Sequence, residues 1–460
     1  MKKLFPFSVL ILMFFLIQCK EEKNDMLQSI LKTDSLEVYI TDSLFIDSVW
    51  AANRVSFDLQ TIGNKQYVAY YDKNRMMTVA TRELGTRHWE KKTLSSKLVW
   101  DSHNYVVLGF DEMGFIHVSG NMHNVPLVYY KSEKPFDIHS LTERNKMTGV
   151  NENAVTYPKY FNDKDGHLYY TYRSGESGNG NNWVNKFDTK TQTWNMLLKD
   201  GLFKGIFEDS NRSAYSKFIT GPQGNFHCVW MWRWTPDVET SHQLCYATST
   251  DFLNWKNIKG EAVELPFTPD NEKVIVDDVP SKGGMHNGKF DIRIIDEVPI
   301  IAYLKYDENG LTQLYATTFR NGEWIINKLS DWNFRWKFKG GGDQMSFGAR
   351  FDLGISKEGI LAIDWDNEMG ENGRYAINPK NVKLLDTLIQ VKAKYPKEIF
   401  NRMTNDPALS VVLQNGKNTD QVGNERYVLK WESKVKSHGT HAPEIIPPGP
   451  RSALFLVKIE

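Results

Sequence analysis

The stretch Asp111-Glu112-Met113-Gly114-Phe115-Ile116-His117 sets a polar turn, then a glycine, then an apolar run. The same order returns in Asp163-Lys164-Asp165-Gly166-His167-Leu168-Tyr169, in Gly221-Pro222-Gln223-Gly224-Asn225-Phe226-His227 and in Ser356-Lys357-Glu358-Gly359-Ile360-Leu361-Ala362. Polar residues ending in glycine are what a tight turn between two strands requires. A second recurring mark is a tryptophan in a polar strand, at Trp89, Trp194, Trp255 and Trp324. Successive glycines lie 52, 58 and 135 residues apart and successive tryptophans 105, 61 and 69 apart. With the two longest intervals read as skipped copies, the repeat is roughly 50 to 70 residues, the size of one four-stranded propeller blade with long loops.

Outward from these marks, the chain alternates short apolar or aromatic runs with turn signals, and helical periodicity is scarce beyond a short segment near Pro396–Arg402. The pattern predicts an all-β protein, a seven-bladed β-propeller forming a single domain over residues 51–460. A solenoid or a pair of β-sandwiches is the alternative, but a sandwich would not repeat its turn and tryptophan so regularly. The segment Ser249-Thr250-Asp251-Phe252-Leu253-Asn254-Trp255 resembles a worn Asp-box of sialidase-like propellers, a structural hairpin that speaks for fold and not for sialidase chemistry.

The 460 residues carry 56 Lys+Arg against 56 Asp+Glu, with 41% hydrophobic and 13% aromatic residues and three cysteines. That is too hydrophobic for a disordered chain, too balanced for a general nucleic-acid binder and too poor in cysteine for a disulfide scaffold. No nucleic-acid partner is expected, and any recognition of an anion must be local rather than a property of the whole surface.

The N-terminus reads Lys2-Lys3, an apolar run from Leu4 to Ile17, then Gln18-Cys19, the layout of a signal peptide over residues 1–18. The apolar run is short for a membrane span. Leu16-Ile17-Gln18-Cys19 resembles a bacterial lipobox, which implies lipidation of Cys19. Lys20-Glu21-Glu22 resembles a surface-export signal of bacterial lipoproteins. The expectation is an outer-membrane lipoprotein at the cell surface, held by its N-terminal lipid only, with residues 19–50 as a tether. The other two cysteines, Cys228 and Cys245, could pair with each other, bind a metal or sit as buried thiols.

The densest polar cluster beside strand signals lies between Trp100 and Arg173. Asp101-Ser102-His103-Asn104 precedes a strand. Strict alternation after Gly114 would put His117, Ser119, Asn121 and His123 on one face. Tyr157-Pro158 follows, and Tyr172-Arg173 precedes the glycine-rich Ser174–Gly180. Each residue alone has a bland explanation as a satisfied core histidine, a strand-capping tyrosine or an ion-paired arginine. Glycoside hydrolysis would call for a pair of carboxylates, and none stands near the cluster.

The set His, Tyr, Arg and Asn instead suits β-elimination on a uronic acid. There a base removes the proton α to a carboxylate, the bond to oxygen on the neighbouring carbon breaks, and cationic groups stabilise the developing dianion. A neutral His or a deprotonated Tyr can be the base, and a Tyr hydroxyl can protonate the leaving oxygen. No metal is intrinsically required.

Taken together, Asp101–Asn104, Gly114–Leu127, Thr156-Tyr157-Pro158, Tyr172–Gly180 and Asp331-Trp332-Asn333-Phe334-Arg335-Trp336 resemble the BNR-repeat family of seven-bladed propellers. That family contains the ulvan lyases of polysaccharide lyase families twenty-four and twenty-five and relatives that cleave rhamnose–glucuronate linkages. The resemblance covers about residues 50–350, and the C-terminal hundred residues match less clearly.

It implies His103 as general base, Tyr157 as general acid, His123 as a second active-site histidine and Arg173 as the carboxylate-neutralising arginine. The base and acid labels of His103 and Tyr157 are exchangeable at this level. Tyr215 would line the substrate cleft, with Asn104, Arg233 and His286 as further substrate-binding positions; Arg233 could meet a sulfate or a second carboxylate, or pack on tryptophan as a strand-edge residue.

Family members can carry a structural metal ion, zinc or calcium, and Cys228, His242 and Cys245 are ligands by type, at a spacing that matches no standard zinc motif. The implied activity is a carbon–oxygen lyase acting as a monomer on an anionic polysaccharide, with ulvan as leading substrate and a rhamnose–glucuronate glycan of plants as the variant. A sialidase-type hydrolase and a non-catalytic glycan-binding propeller are the rivals. The first lacks its ordered arginine triad, and the second leaves His103, Tyr157 and Arg173 without a purpose.

Overall fold

The computed structural model describes residues 38–207, 210–211, 213–341, 346–356, 359–387, 394–417, 426–437 and 442–460. The expected signal peptide, Cys19 and the first half of the expected tether lie outside them. The second half does not behave as a tether. Ile40–Trp50 is a strand paired antiparallel with Arg451–Ile459, because Leu44, Ile46, Val49 and Trp50 are apolar enough to bury.

Strands dominate, and helical structure among the described residues is confined to short 3-10 turns. One of these, Lys397–Phe400, sits where the sequence suggested a short helix. The strands build antiparallel sheets, most of them with chain neighbours as sheet neighbours. The first sheet runs Asp58–Ile62, Lys65–Tyr71, Met76–Glu83, Glu90–Lys97, and the second Val106–Phe110, Ile116–Gly120, Tyr129–Ser132, Leu141–Arg144. The third runs Val155–Asn162, Leu168–Glu176, Asn179–Asp188, Thr193–Met196, with His123–Val125 added at its edge, and the fourth is built on Ser213–Thr220, Phe226–Arg233 and Ser241–Ser249. The fifth begins with Phe290–Ile295 and Val298–Tyr306, and the sixth with Ala349–Ile355 and Leu361–Asn367. The last sheet joins both ends of the described chain, in the order Ile40–Trp50, Arg451–Ile459, Arg426–Ser433, Ser410–Asn415.

The recurring turn is the hairpin between the first and second strands of a sheet. In the second sheet Asp111 Oδ1 accepts from the backbone N–H groups of Met113 and Phe115 (3.0 and 2.9 Å), and Gly114 sits at φ +85°. A Cβ at Gly114 would come within 2.1 Å of the Phe136 ring, so the position excludes a side chain twice over. Asp163 repeats the device with Asp165 and His167. Of the four turns, the one at Gly359 is described only in part, since Lys357 and Glu358 lie outside the described residues. In the Asp-box-like segment, Asp251 Oδ1 accepts from Leu253 and Asn254, closing the turn into the strand Trp255–Lys256.

The recurring tryptophan belongs to the fourth strand or the residue before it. Glu90–Lys97 shows why one is needed there: on that strand only Leu94 is buried, and the charged remainder protects an exposed edge. Trp194 reaches back to the second sheet and donates to the Tyr129 hydroxyl (2.9 Å), and Trp324 meets Tyr246 of the fourth sheet edge-on at 5.9 Å. The two tyrosines are themselves held alike, Tyr129 by His117 Nδ1 and Tyr246 by His227 Nδ1, each at 2.7 Å. These aromatic layers between neighbouring sheets are the core.

Candidate active site

The functional side chains gather where first strands begin and second strands end. Tyr157 lies near the start of Val155–Asn162 and Arg173 near the end of Leu168–Glu176. Tyr215 and Arg233 occupy the matching places in Ser213–Thr220 and Phe226–Arg233. In both sheets the guanidinium lies over the phenol ring, Arg173 on Tyr157 at 4.9 Å and Arg233 on Tyr215 at 4.3 Å. The connection into the second sheet brings His103, and the short strand His123–Val125, which leaves the second sheet between its second and third strands to pair with the edge of the third, brings His123.

Tyr157 owes its direction to a backbone irregularity. The pairing of Val155–Asn162 with Leu168–Glu176 slips between Thr156 and Lys159, and Tyr157 takes φ +59°. A bulge of this kind re-aims one side chain, and a non-glycine residue in the left-handed region is held there by its surroundings.

His103, His123, Tyr157, Arg173, Tyr215, Arg233 and His286 all line one cleft of about 1090 Å³. Asp101 organises its first corner. One carboxylate oxygen meets His103 Nδ1 and the other meets His123 Nδ1, each at 2.7 Å, and the two imidazole rings lie 4.1 Å apart. Burial would raise the Asp101 carboxyl, but the hydrogen bonds with His103 and His123 outweigh it and hold the group well below the usual carboxylate range. With Nδ1 engaged by a carboxylate, Nε2 is the nitrogen of each ring able to exchange a proton with a substrate. The His103 and Tyr157 rings stand edge to face at 5.7 Å.

Burial raises the Tyr157 phenol above its ordinary value, although Arg173 pulls the other way, so the hydroxyl carries its proton at neutral pH. Arg173 is 2% exposed, and its Nε and Nη1 have no hydrogen-bond partner among the described residues. A buried guanidinium that lacks a carboxylate is costly unless something supplies one.

Further along the cleft, Arg233 bonds to the Asn287 side chain, and the Tyr215 hydroxyl meets Ser177 Oγ at 2.9 Å and accepts from the Gly178 N–H at 3.2 Å. His286 lies on Trp336 at 4.8 Å, and burial lowers it to about 3, which keeps it neutral.

Several expectations need correction. Asn104 is 1% exposed and does not line the cleft; its backbone carbonyl accepts from the Tyr71 hydroxyl. His117 and Ser119 do not share a face with His123, because the strand Ile116–Gly120 ends, Asn121 turns through φ +61° and His123 begins a separate strand on the next sheet. His117 is fully buried in the aromatic core.

Cys228 and Cys245 are buried thiols of the fourth sheet, both pushed up by burial, which opposes the thiolate a metal would need. His242 is turned to Trp234 and to the Thr240 carbonyl, so these three residues form no ligand set. Among the described residues, the groups with metal-ligand spacing are Asp101-His103-His123 and Asp163-Asp165-His167.

Sequence reasoning assigns no separate role to Asp101, Lys289 or Arg350. Asp101, two residues before His103, was legible by proximity. Lys289 and Arg350, which line the far end of the cleft beside Phe347, carried no local signal.

Residues 65–332 match the model of the BNR repeat-containing family. The chain is 27% identical over 144 residues to the short isoform of an ulvan lyase of Alteromonas sp. (strain LOR), covering 29% of this chain and 27% of that protein. It is 28% identical over 132 residues to the long isoform of an ulvan lyase of Glaciecola sp. (strain KUL10), covering 26% of this chain and 12% of that protein. The matches thus span well under a third of the length of either curated relative. In three dimensions the chain is similar to the polysaccharide lyase Uly1, with a TM-score of 0.58, 14% identity and coverage of 92% of this chain and 99% of that one. It is also similar to a PL25 ulvan lyase bound to -[GlcA(1-4)Rha3S]-, with a TM-score of 0.54, 14% identity and coverage of 84% and 92%. At such identity the likeness is one of fold.

Proposed function

This chain belongs to the BNR repeat-containing family, and from that premise we propose that it is a polysaccharide lyase cleaving an ulvan-like, sulfated, uronate-containing polysaccharide by β-elimination. The observation that carries the reading is Arg173, a buried guanidinium with no acidic partner among the described residues, in the same cleft as two histidines on one aspartate and a tyrosine that keeps its proton.

The uronate carboxylate takes the place opposite Arg173. Neutral His103, donating Nδ1–H to Asp101, removes the α proton through Nε2. As the neighbouring carbon–oxygen bond breaks and the carbon–carbon double bond forms, Tyr157 gives its proton to the leaving oxygen. The raised phenol favours this assignment over the exchanged one, since a phenol held protonated is a poor base and a ready acid. His123, on the other oxygen of Asp101, shares the developing negative charge with Arg173. None of these steps calls for a metal.

The -[GlcA(1-4)Rha3S]- unit on the PL25 relative supports glucuronate and sulfated rhamnose as the sugars here. Arg233, Lys289 and Arg350 continue the basic lining beyond Arg173 and suit a chain carrying several anionic groups. We read the sheets of three or more strands as seven propeller blades, the last fastened by the N-terminal strand, and the protein as a monomeric surface lipoprotein anchored through Cys19.

Incubation with ulvan, following the ultraviolet absorbance of an unsaturated uronyl end, tests the reading. A rise in absorbance with new reducing ends is expected. Reducing ends without that absorbance would mean hydrolysis, and neither would mean binding alone.

A further inference from the structure

Beneath the catalytic cleft lies a second cavity, of about 360 Å³, which shares Tyr157, Tyr215 and Asn287 with it as common walls. Its lower lining includes Lys159 from the third sheet, Lys217 and Ser216 from the fourth, and Asn182. The lysines are not equivalent. Lys217 is paired with Asp291, and nearby Lys417 with Asp58 at 2.9 Å. Lys159 makes no ion pair or side-chain hydrogen bond among the described residues. The charges felt at Lys159 are those of Lys217 and Lys417, both repulsive. The Cys228 thiol is also within reach, but burial pushes it up and keeps it neutral. Tyr157 and Tyr172, phenols on the cavity wall that burial raises, are neutral as well. With the pairs Lys217–Asp291 and Lys417–Asp58 each neutral, one positive charge, that of Lys159, is left uncompensated among the described residues here.

We propose that this cavity is a binding site for one small anion, a halide or a sulfate-sized oxyanion, held by the Lys159 ammonium beneath the catalytic tyrosine. A half-buried ammonium that faces two others is less well hydrated than a surface one and gains from a counter-charge, and the described residues supply none at this position. The space exceeds what one water occupies by about tenfold, enough for an ion with part of its hydration shell. Asn182 and Ser216 offer neutral polar groups alongside. Burial, with the two neighbouring ammonium groups, brings Lys159 down to about 8, so at pH 7 most molecules carry the charge that the anion would neutralise. The inference stands apart from the catalytic reading, because it rests on Lys159 and not on turnover.

Two sources offer this chemistry: a free anion of the medium, or a sulfate or carboxylate reaching down between Tyr157 and Tyr215 from a glycan in the cleft. Chloride is the probe. In chloride-free buffer at pH 7, added chloride should show saturable ³⁵Cl line broadening with the full-length protein. The broadening should vanish in Lys159→Met, persist in Lys159→Arg, and fade as the pH is raised through and above about 8, since the amine holds the anion only while protonated. Broadening that is the same in Lys159→Met, or that is unchanged between pH 7 and a pH well above the lysine's, overturns the proposal. The pH arm needs only the unaltered protein, so it decides even if the methionine variant fails to fold. Sulfated oligosaccharide that abolishes the Lys159-dependent signal identifies the glycan as the source, and a signal that survives saturating oligosaccharide identifies a free ion.

Discussion

Replacing Asp101 by asparagine removes one negative charge from between two imidazoles while leaving the volume of the side chain almost unchanged. In the native arrangement both Nδ1 atoms face carboxylate oxygens at 2.7 Å, so each ring can keep its proton on Nδ1 and its lone pair on Nε2. An amide has one oxygen and one NH₂. The oxygen can still receive Nδ1–H from one ring, but the NH₂ must meet the other ring's Nδ1 as a donor, forcing that ring into the opposite tautomer. If the reversed ring is His103, the base is lost. If it is His123, that ring loses the carboxylate that orients it.

Each charge-assisted hydrogen bond is worth about 1.5–3 kcal/mol, and replacing the aspartate that orients a catalytic histidine in a triad lowers turnover by ~10⁴. We expect kcat on ulvan to fall by about 10³–10⁴ in Asp101→Asn, with near-native circular dichroism. The unsaturated-uronyl absorbance, followed at saturating substrate, measures it. A loss of less than tenfold would refute the reasoning that Asp101 sets the protonation pattern of the pair. Stability carries the same signature with a definite sign. The Asp101 carboxyl is depressed in the folded protein, so its contribution is present above the unfolded carboxylate range near pH 4 and is lost as the pH falls through the folded value. The asparagine variant should therefore lose part of the acid dependence of unfolding.

Tyr157→Phe should lower turnover by ~10²–10⁴ and leave the fold intact. Because the native phenol is raised, the pH–rate profile of the unaltered protein should show no alkaline decline from this group below about pH 10; a limb near pH 8 that disappears in Tyr157→Phe would count against the acid role. Arg173→Lys keeps a charge but loses the planar fork, and kcat/KM is expected to drop by about 10²–10³; steady-state kinetics showing near-native values would remove the arginine from the site. Exhaustive dialysis against EDTA should leave the rate within about twofold, since the Asp101 oxygens meet Nδ1 at hydrogen-bond separations; a tenfold loss restored by zinc would reassign His103 and His123 as ligands. Gly114→Ala, with a Cβ driven toward Phe136 at φ +85°, should cost about 1–3 kcal/mol or more in urea unfolding, and an unchanged midpoint would contradict the turn assignment.

The repeating turn and tryptophan were readable because each has a local cause, a glycine that must take positive φ and a large ring that must cover an edge strand. The convergence of His103, His123, Tyr157 and Arg173 was reached through resemblance, and their individual geometry was not. Alternation suggested that His117 and His123 share a face, and it failed because a sequence period does not announce where one strand stops and another begins. Nothing in the neighbourhood of Asn104 distinguishes a buried amide from one facing a ligand. The bulge that aims Tyr157 is equally silent, since it arises from pairing with a strand more than ten residues away. Lys159 reads as an ordinary surface lysine until the sheets on both sides of it are in place.

The strand Ile40–Trp50 lies against Arg451–Ile459, a pairing that spans almost the whole described chain. Such a clasp makes pairing of the last sheet a late event of folding, because its two halves lie at opposite ends of the described chain and closing so long a loop is slow. Until it fastens, the final sheet presents an open edge of Arg451–Ile459 to any passing strand. A chain cut short near its C-terminus would lose more than its last strand. It would leave the first one without a home and the last sheet unlatched.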